Sequence, residues 1–445
     1  MCCATTRTFL SVSVLRLVSV PLICGWFSTA NEIPNFIGEG HQRDGRPSLL
    51  SSAEFKQHSY VNTTPYWLNE RATPAPADVL HSTQRRVLGR HVQLFGTHPG
   101  DWIVSGVNTE LRHWGRKGWS VETMRLATQR LGLIHECIMV VRIMHGRARM
   151  LHLSRATYKK FRLEAYLRIL DLVARRDKKL NLMVWASPTD YCPGNNATVG
   201  QHDFYASHFG NVPILCFQRY DENYRAVLLP EIQMIYSDFY SKERTFRSQF
   251  SWDIKSSDKA WFRGGMTGPF SGFRNQRVRM CSKWATHPNG SVFPLEHWRL
   301  GLDCKLFTDE NDSKLLRLGY EVNSTNKTSL WADLLSNKYL LSMDGYGATC
   351  SRVFKSLLSN SVLLKLETKP KSSLYYFSGL EAWQHFVPVQ ENNIGQIVTH
   401  LQRDDRLGRD ISRAATQFAL REITREKSVK YTHLLLSTLM SLKVP

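Results

Sequence analysis

The chain has 445 residues and a formal net charge of +20, with 42% hydrophobic and 22% charged residues. Single hydrophobic cores stop growing near roughly 250–300 residues, so two domains are expected, and this composition excludes a multispanning membrane protein and a disordered chain alike. The charge suits polyanions such as acidic glycans, anionic lipid or a nucleotide diphosphate, whereas the lack of a Lys/Arg block, zinc-finger spacing or RNA-binding aromatic signature sets nucleic acid aside.

An apolar run from Phe9 to Phe27, interrupted by Arg16, ends in Ser28-Thr29-Ala30, small residues suited to signal-peptide cleavage. If retained, residues 1–30 are instead a signal anchor, the one circumstance in which a membrane enters. Both readings put the folded body in the lumen of the secretory pathway. Six N-x-[ST] sequons, at Asn62, Asn196, Asn289, Asn311, Asn323 and Asn326, agree with that side of the membrane. So does the even set of cysteines beyond Cys24, namely Cys137, Cys192, Cys216, Cys281, Cys304 and Cys350, which an oxidising compartment can pair. None lies in a C-x-x-C pair or near histidine at zinc spacing, so no structural metal is expected. The ending Ser441-Leu442-Lys443-Val444-Pro445 is no retrieval signal, which leaves Golgi or endoplasmic reticulum residence and secretion open.

Residues 31–77 are polar and rich in Pro, Gly, Asn and Ser, as in a stem. An amino-terminal domain over 78–250 opens with a helix over 78–94 that places Val79, Leu80, Val87, Leu88 and Val92 near one face. Apolar runs at 137–143 and 149–153 flank a glycine-containing turn, the pattern of a β-hairpin. A helix over 157–175 follows, and then a buried strand over 180–185 that runs into Ser187-Pro188-Thr189-Asp190, with a further apolar run at 212–217. A carboxyl-terminal domain over 251–393 has apolar runs at 261–262, 339–343 and 362–366, separated by helical stretches at 274–284 and 351–358. Residues 394–445 are helical and pack back on the body. The alternation defines an α/β protein.

In open α/β sheets ligands bind beyond the carboxyl ends of strands, so polar residues there are the candidates. Arg263, Gly264 and Gly265 follow Trp261-Phe262 at a glycine-rich turn, with Arg274 and Arg277 downstream. Close backbone approach and free N–H groups at a helix start are what a phosphate needs, although no Walker lysine follows. A second loop carries Gly345, Gly347, Thr349, Cys350, Ser351 and Arg352 after the strand Tyr339–Met343, and its amides and guanidinium suit a diphosphate. Asp190, just past a buried strand, is placed to act as general base on an acceptor hydroxyl. His385, among aromatics in EAWQHFVPV, reads as a core residue.

The ordered set of a strand ending in Asp190-Tyr191, then WFRGG with a downstream arginine, then KYLLSMDGYGATCSRVFKSLLSNSVLL, then EAWQHFVPV resembles the protein O-glucosyltransferase and capsule-associated xylosyltransferase group, glycosyltransferase family 90. The resemblance covers about residues 130–425. It implies a GT-B fold, two Rossmann-like domains facing across a cleft, with UDP-glucose or UDP-xylose held mainly by the carboxyl-terminal one. It implies inverting transfer to a protein or glycan acceptor, with Asp190 as base and Arg277 and Arg352 on the diphosphate. Arg274 competes with Arg277 for that role, and Asp203 replaces Asp190 if the longer segment before Pro213 shifts the alignment. Gly265 stands where some relatives carry serine. Transferases of this type need no bound divalent ion, and none is expected. An inactive relative that binds glycans or proteins as a module is the alternative.

Overall fold

The computed structural model describes residues 82–98, 100–131, 137–154, 160–189, 192, 210, 212–220, 223, 225–235, 250–265, 275–277, 280–281, 302–308, 320–322, 334–345, 347–348, 350–368 and 371–444. The segments expected as leader and stem, and all six sequons, lie outside them. Among the described residues no helix is long and apolar enough to cross a membrane.

The amino-terminal elements are α1 (Ser82–Phe95), α2 (Trp102–Lys117), β1 (Trp119–Ser120), α3 (Val121–Gln129), β2 (Met139–Met144), β3 (Arg147–Leu153), α4 (Lys160–Arg176), β4 (Leu182–Ala186), β5 (Ile214–Cys216), β6 (Arg219–Tyr220), β7 (Ala226–Leu228) and the short α5 (Ile232–Ile235). The expected hairpin is β2–β3. Its two turn residues, His145 (φ 51°) and Gly146 (φ 74°), both have positive φ, as a tight turn matched to strand twist requires. Five strands form a sheet in the order β3-β2-β4-β5-β7. Because β2 runs antiparallel to both β3 and β4, this sheet is mixed, and only β4, β5 and β7 pair in parallel. It is Rossmann-like on that side alone, since a two-residue turn can only reverse the chain.

The predicted face of α1 shifts by a few residues. Among its described side chains His91 and Phe95 are buried, while Val87 and Leu88 are half-buried against the core. Val79 and Leu80 precede the described residues. The helix gains its partner from the far end of the chain: α7 (Ile394–Arg403), α8 (Asp405–Glu422) and α9 (Arg425–Ser441) follow one another, and α9 packs on both α1 and α2. Trp119 Nε1 donates to Leu439 O at 2.7 Å, and β1 pairs in parallel with β15 (Lys443–Val444).

The carboxyl-terminal strands are β8 (Ser256–Gly265), β9 (Leu302–Thr308), β10 (Tyr320–Val322), β11 (Asn337–Ser342), β12 (Val362–Leu366) and β14 (Val387–Val389), with α6 (Cys350–Leu358) between β11 and β12 and the short β13 (Ser372–Ser373) between β12 and β14. The six strands are all parallel, in the order β10-β9-β8-β11-β12-β14. Counted within this unit, that is 3-2-1-4-5-6, the doubly wound dinucleotide-binding order, whose direction of winding reverses between β8 and β11. Loops leaving the carboxyl ends of those two strands therefore diverge and leave a crevice.

α1, α4 and α9 meet at a buried polar chain. His433 Nε2 lies 3.0 Å from Asp177 Oδ2, Arg90 Nη2 pairs with Asp177 Oδ1, and His91 Nδ1 lies 2.9 Å from His433 Nδ1. One tautomer set satisfies this chain: neutral His433 donates from Nε2 to the carboxylate, and neutral His91 donates from Nδ1 to the bare Nδ1 of His433. Burial, together with the neighbouring His433 and Lys430, lowers the pKa of His91 to about 3; burial also lowers that of His433, against the pull of Asp177. A histidine depressed in the fold and near 6.5 when unfolded stabilises above pH 6.5 and loses that contribution as pH falls toward 3. For His91 alone the loss by pH 5 is on the order of 2 kcal/mol. Denaturant midpoints should therefore fall between pH 7 and pH 5, and His91→Gln, whose amide still bonds His433, should flatten that slope.

Candidate functional site

Two loops meet at the reversal of the sheet. One is the end of β8, where Arg263, Gly264 and Gly265 belong to the strand itself, because β8 continues to Gly265 paired with β9. The expected turn thus begins no earlier than the residue after Gly265. The other runs from Met343 to α6, where the amide of Gly345 donates to Gly347 O at 3.0 Å and closes a tight turn. Cys350 and Ser351 form the first turn of α6, and Arg352 follows on it.

Phe262, fully buried, is the floor on which the guanidiniums lie. Arg352 sits 4.6 Å from the ring centre and Arg277 5.8 Å, geometries that favour cation–π attraction. Arg263 stacks over the neighbouring Trp261 at 4.7 Å and donates from Nη1 to Phe262 O at 2.9 Å. Arg352 Nη2 donates to Arg263 O, which ties the two loops together. Arg277 donates from Nε and Nη2 to Met343 O at 3.3 and 3.1 Å, and its own amide donates to Asn275 Oδ1. Gly264 is small for a reason visible here, since a Cβ would stand 2.8 Å from Phe262 Cζ and 3.3 Å from Arg352 Nη2.

The electrostatics are those of a site short of negative charge. Burial lowers the pKa of Arg277 to about 10, although Asp344 and Tyr220 oppose the shift. Burial first, and then the like charge of Arg277, lowers that of Arg352 to about 9. Asp344, the carboxylate beside the turn, is already held by Lys365 Nζ at 2.6 Å, by Thr368 Oγ1 at 2.8 Å and by the hydroxyl of Ser372. Nη1 of Arg352 is buried without a hydrogen-bond partner. Guanidiniums brought together out of water cost several kcal/mol unless an anion compensates them. An unpartnered charged donor in that setting fits a diphosphate, and no neutral ligand would relieve the repulsion.

Among the predicted residues, the structure brings Arg263, Gly264, Arg277, Gly345, Gly347 and Arg352 into this one crevice, with Gly265 and the backbone of Cys350 and Ser351 on its two elements. Asp190, Asp203, Arg274 and Thr349 lie outside the described residues. The neighbours of Asp190 do not: Ser187 and Thr189 are buried with hydroxyls 2.8 Å apart, Arg162 Nη1 donates to Pro188 O at 3.1 Å, and Cys192 is disulfide-bonded to Cys216 at the end of β5. Cys281 is disulfide-bonded as well. His385 is structural, with Nδ1 accepting from the amide of Glu381 at 2.9 Å and its ring against Phe418.

Sequence reading missed Gln218, Tyr220, Asp344, Lys365 and Ser372. One signal pointed at them: Lys365 interrupts VLLKL, every residue of which is buried, and a lysine inside a buried strand needs a carboxylate nearby. Among the described residues no group of three His, Cys, Asp or Glu side chains is arranged to hold a metal ion.

A doubly wound parallel sheet with cationic loops at its reversal is an arrangement suited to a phosphorylated nucleotide. The amino-acid sequence over residues 248–444, which contains this whole sheet and the helices after it, matches the family model for glycosyl transferase family 90. Over those residues the chain is similar to glycosyltransferase family 90. No curated protein matches the chain.

Proposed function

We propose that the protein is an inverting, UDP-sugar-dependent glycosyltransferase of GT-B architecture, working in the lumen of the secretory pathway on a protein or glycan hydroxyl. The observation that carries the donor class is the pair Arg277 and Arg352, crowded over Phe262 with one buried N–H left unpartnered. In this reading the carboxyl-terminal sheet holds UDP-glucose or UDP-xylose, and the sheet of β2, β4, β5 and β7 carries the acceptor side. Asp190 takes the proton of the acceptor hydroxyl as its oxygen attacks the anomeric carbon. The bond from that carbon to the diphosphate breaks on the opposite face, and its electron pair leaves with UDP, whose charge the two arginines stabilise. The disulfide at Cys192–Cys216 supports a luminal, oxidising setting.

The test is a secreted form spanning residues 31–445, assayed for UDP release across a panel of UDP-sugars with EDTA present, beside calorimetric titration with UDP alone. Release with one donor, undiminished by EDTA, establishes the transferase and names its sugar. Binding of UDP with no release from any donor reduces the protein to a binding module, and absence of UDP binding removes the donor assignment altogether.

A further inference from the structure

The turn that receives the donor in the proposed reading is not held by its own sheet alone. The five residues from Cys216 to Tyr220 cross over to it from the amino-terminal sheet. Cys216 ends β5 and is bonded to Cys192, two residues beyond Asp190 in the chain. Gln218 is buried against Gly347 so closely that a Cβ there would stand 2.6 Å from Gln218 Cδ. Arg219 Nη2 pairs with Glu110 Oε1 of α2 at 3.1 Å, both side chains nearly buried, while Glu110 Oε2 accepts from the amide of Leu228 on β7. Tyr220 Oη donates to Gly345 O at 3.0 Å. Its backbone pairs antiparallel with Ser372 of β13, whose hydroxyl binds Asp344, the residue before Gly345.

We infer that Cys216–Tyr220 is a positioning element that fixes the Met343–Gly347 turn against the amino-terminal sheet, with Tyr220 and Gln218 as its positioning residues. Two independent contacts, one hydrogen bond and one steric stop, reach the same turn from the same short segment. The segment is itself anchored at one end by a disulfide and in its middle by a buried ion pair. Hydroxyl and amide here act through the turn rather than on the reacting atoms. The catalytic consequence rests on the glycosyltransferase reading; the ordering of the turn does not.

Tyr220→Phe removes the hydrogen bond to Gly345 O and keeps the ring. Hydrogen exchange over residues 343–348 should then quicken by roughly five- to tenfold, as expected for loss of one buried bond, while exchange in β4 and α9 stays as in the wild type. Donor KM should rise by a similar factor with kcat changed by less than about twofold, a split that a general loss of folding would not produce. Gly347→Ala should raise donor KM because its methyl meets the Gln218 amide, and Gln218→Ala in the same chain should restore it. Exchange in Tyr220→Phe equal to the wild type, or no rescue by Gln218→Ala, overturns the inference. If the wild type binds no UDP-sugar, the donor reading fails, yet the exchange comparison still decides whether this segment orders the turn.

Discussion

Asp190→Asn should leave UDP binding intact while lowering turnover by about 10²–10⁴-fold, the range that a positioned general base contributes. Arg352→Ala should do both kinds of damage. Its guanidinium carries a buried, unpartnered Nη1 and lies beside Arg277, and among the described residues no carboxylate pairs with it, so its charge is available to a bound diphosphate in a way that a salt-bridged arginine's is not. Hydrogen bonds to charged groups contribute about 1.5–3 kcal/mol, which translates to a UDP Kd higher by roughly ten- to hundredfold. Charge on the diphosphate grows as the sugar leaves, so kcat should fall further, by about 10²–10³, as for the loss of other donors aimed at developing negative charge. Isothermal titration with UDP and single-turnover release from the active UDP-sugar separate the two effects. Arg352→Lys is the stringent control: it keeps a charge, but a point ammonium lacks the planar fork that bonds Arg263 O over Phe262 and still presents a second nitrogen. If Arg352→Ala binds UDP as tightly as the wild type, the phosphate assignment at this crevice is wrong.

How much of this could be read in advance differs by region, for physical reasons. Strands β11 and β12 were legible because a parallel strand covered on both faces is a continuous apolar run, and Tyr339–Leu341 and Val362–Leu364 are such runs. The β2–β3 hairpin was legible from its glycine turn. Strands β9 (LDCKLFT) and β10 (YEV) were not, since charged residues interleave with the apolar ones and three residues hold no period. β8 was read as only the Trp261–Phe262 pair because its first half, SSDK, is polar; its extension to ten residues comes from neighbours on both sides, which no local pattern encodes. Arg263 and Arg352 were legible as residues beyond apolar runs, but the convergence of Arg277 and Arg352 on Phe262 was not, because it is made by elements far apart in the chain. Tyr220 and Gln218 were invisible for the same reason. They follow β5 of the other sheet, and nothing near them in the chain marks a contact with Gly345 or Gly347.

The largest stability effect should come from Lys365→Met. Lys365 and Asp344 are each about 4% exposed at the side chain and lie 2.6 Å apart, and removing one partner of such a pair leaves a buried charge uncompensated, at a cost of about 3–5 kcal/mol. Asp344→Asn should cost less at the carboxyl position, where the amide oxygen still accepts from Thr368 and Ser372, but it strands the ammonium of Lys365 inside a fully buried strand. The double replacement Asp344→Asn/Lys365→Met should therefore be less destabilised than the sum of the two, and a double-mutant cycle on urea midpoints measures the difference. The effect does not end at stability. Asp344 stands between Met343, whose carbonyl anchors Arg277, and Gly345, whose carbonyl anchors Tyr220, and its charge helps keep Arg277 protonated in a buried site. Asp344→Asn should thus weaken UDP binding even at temperatures where the variant is fully folded, whereas a pair that served packing alone would leave UDP affinity untouched once folding was restored. Equal UDP affinity in folded wild type and Asp344→Asn would confine this ion pair to the core and detach it from the donor site.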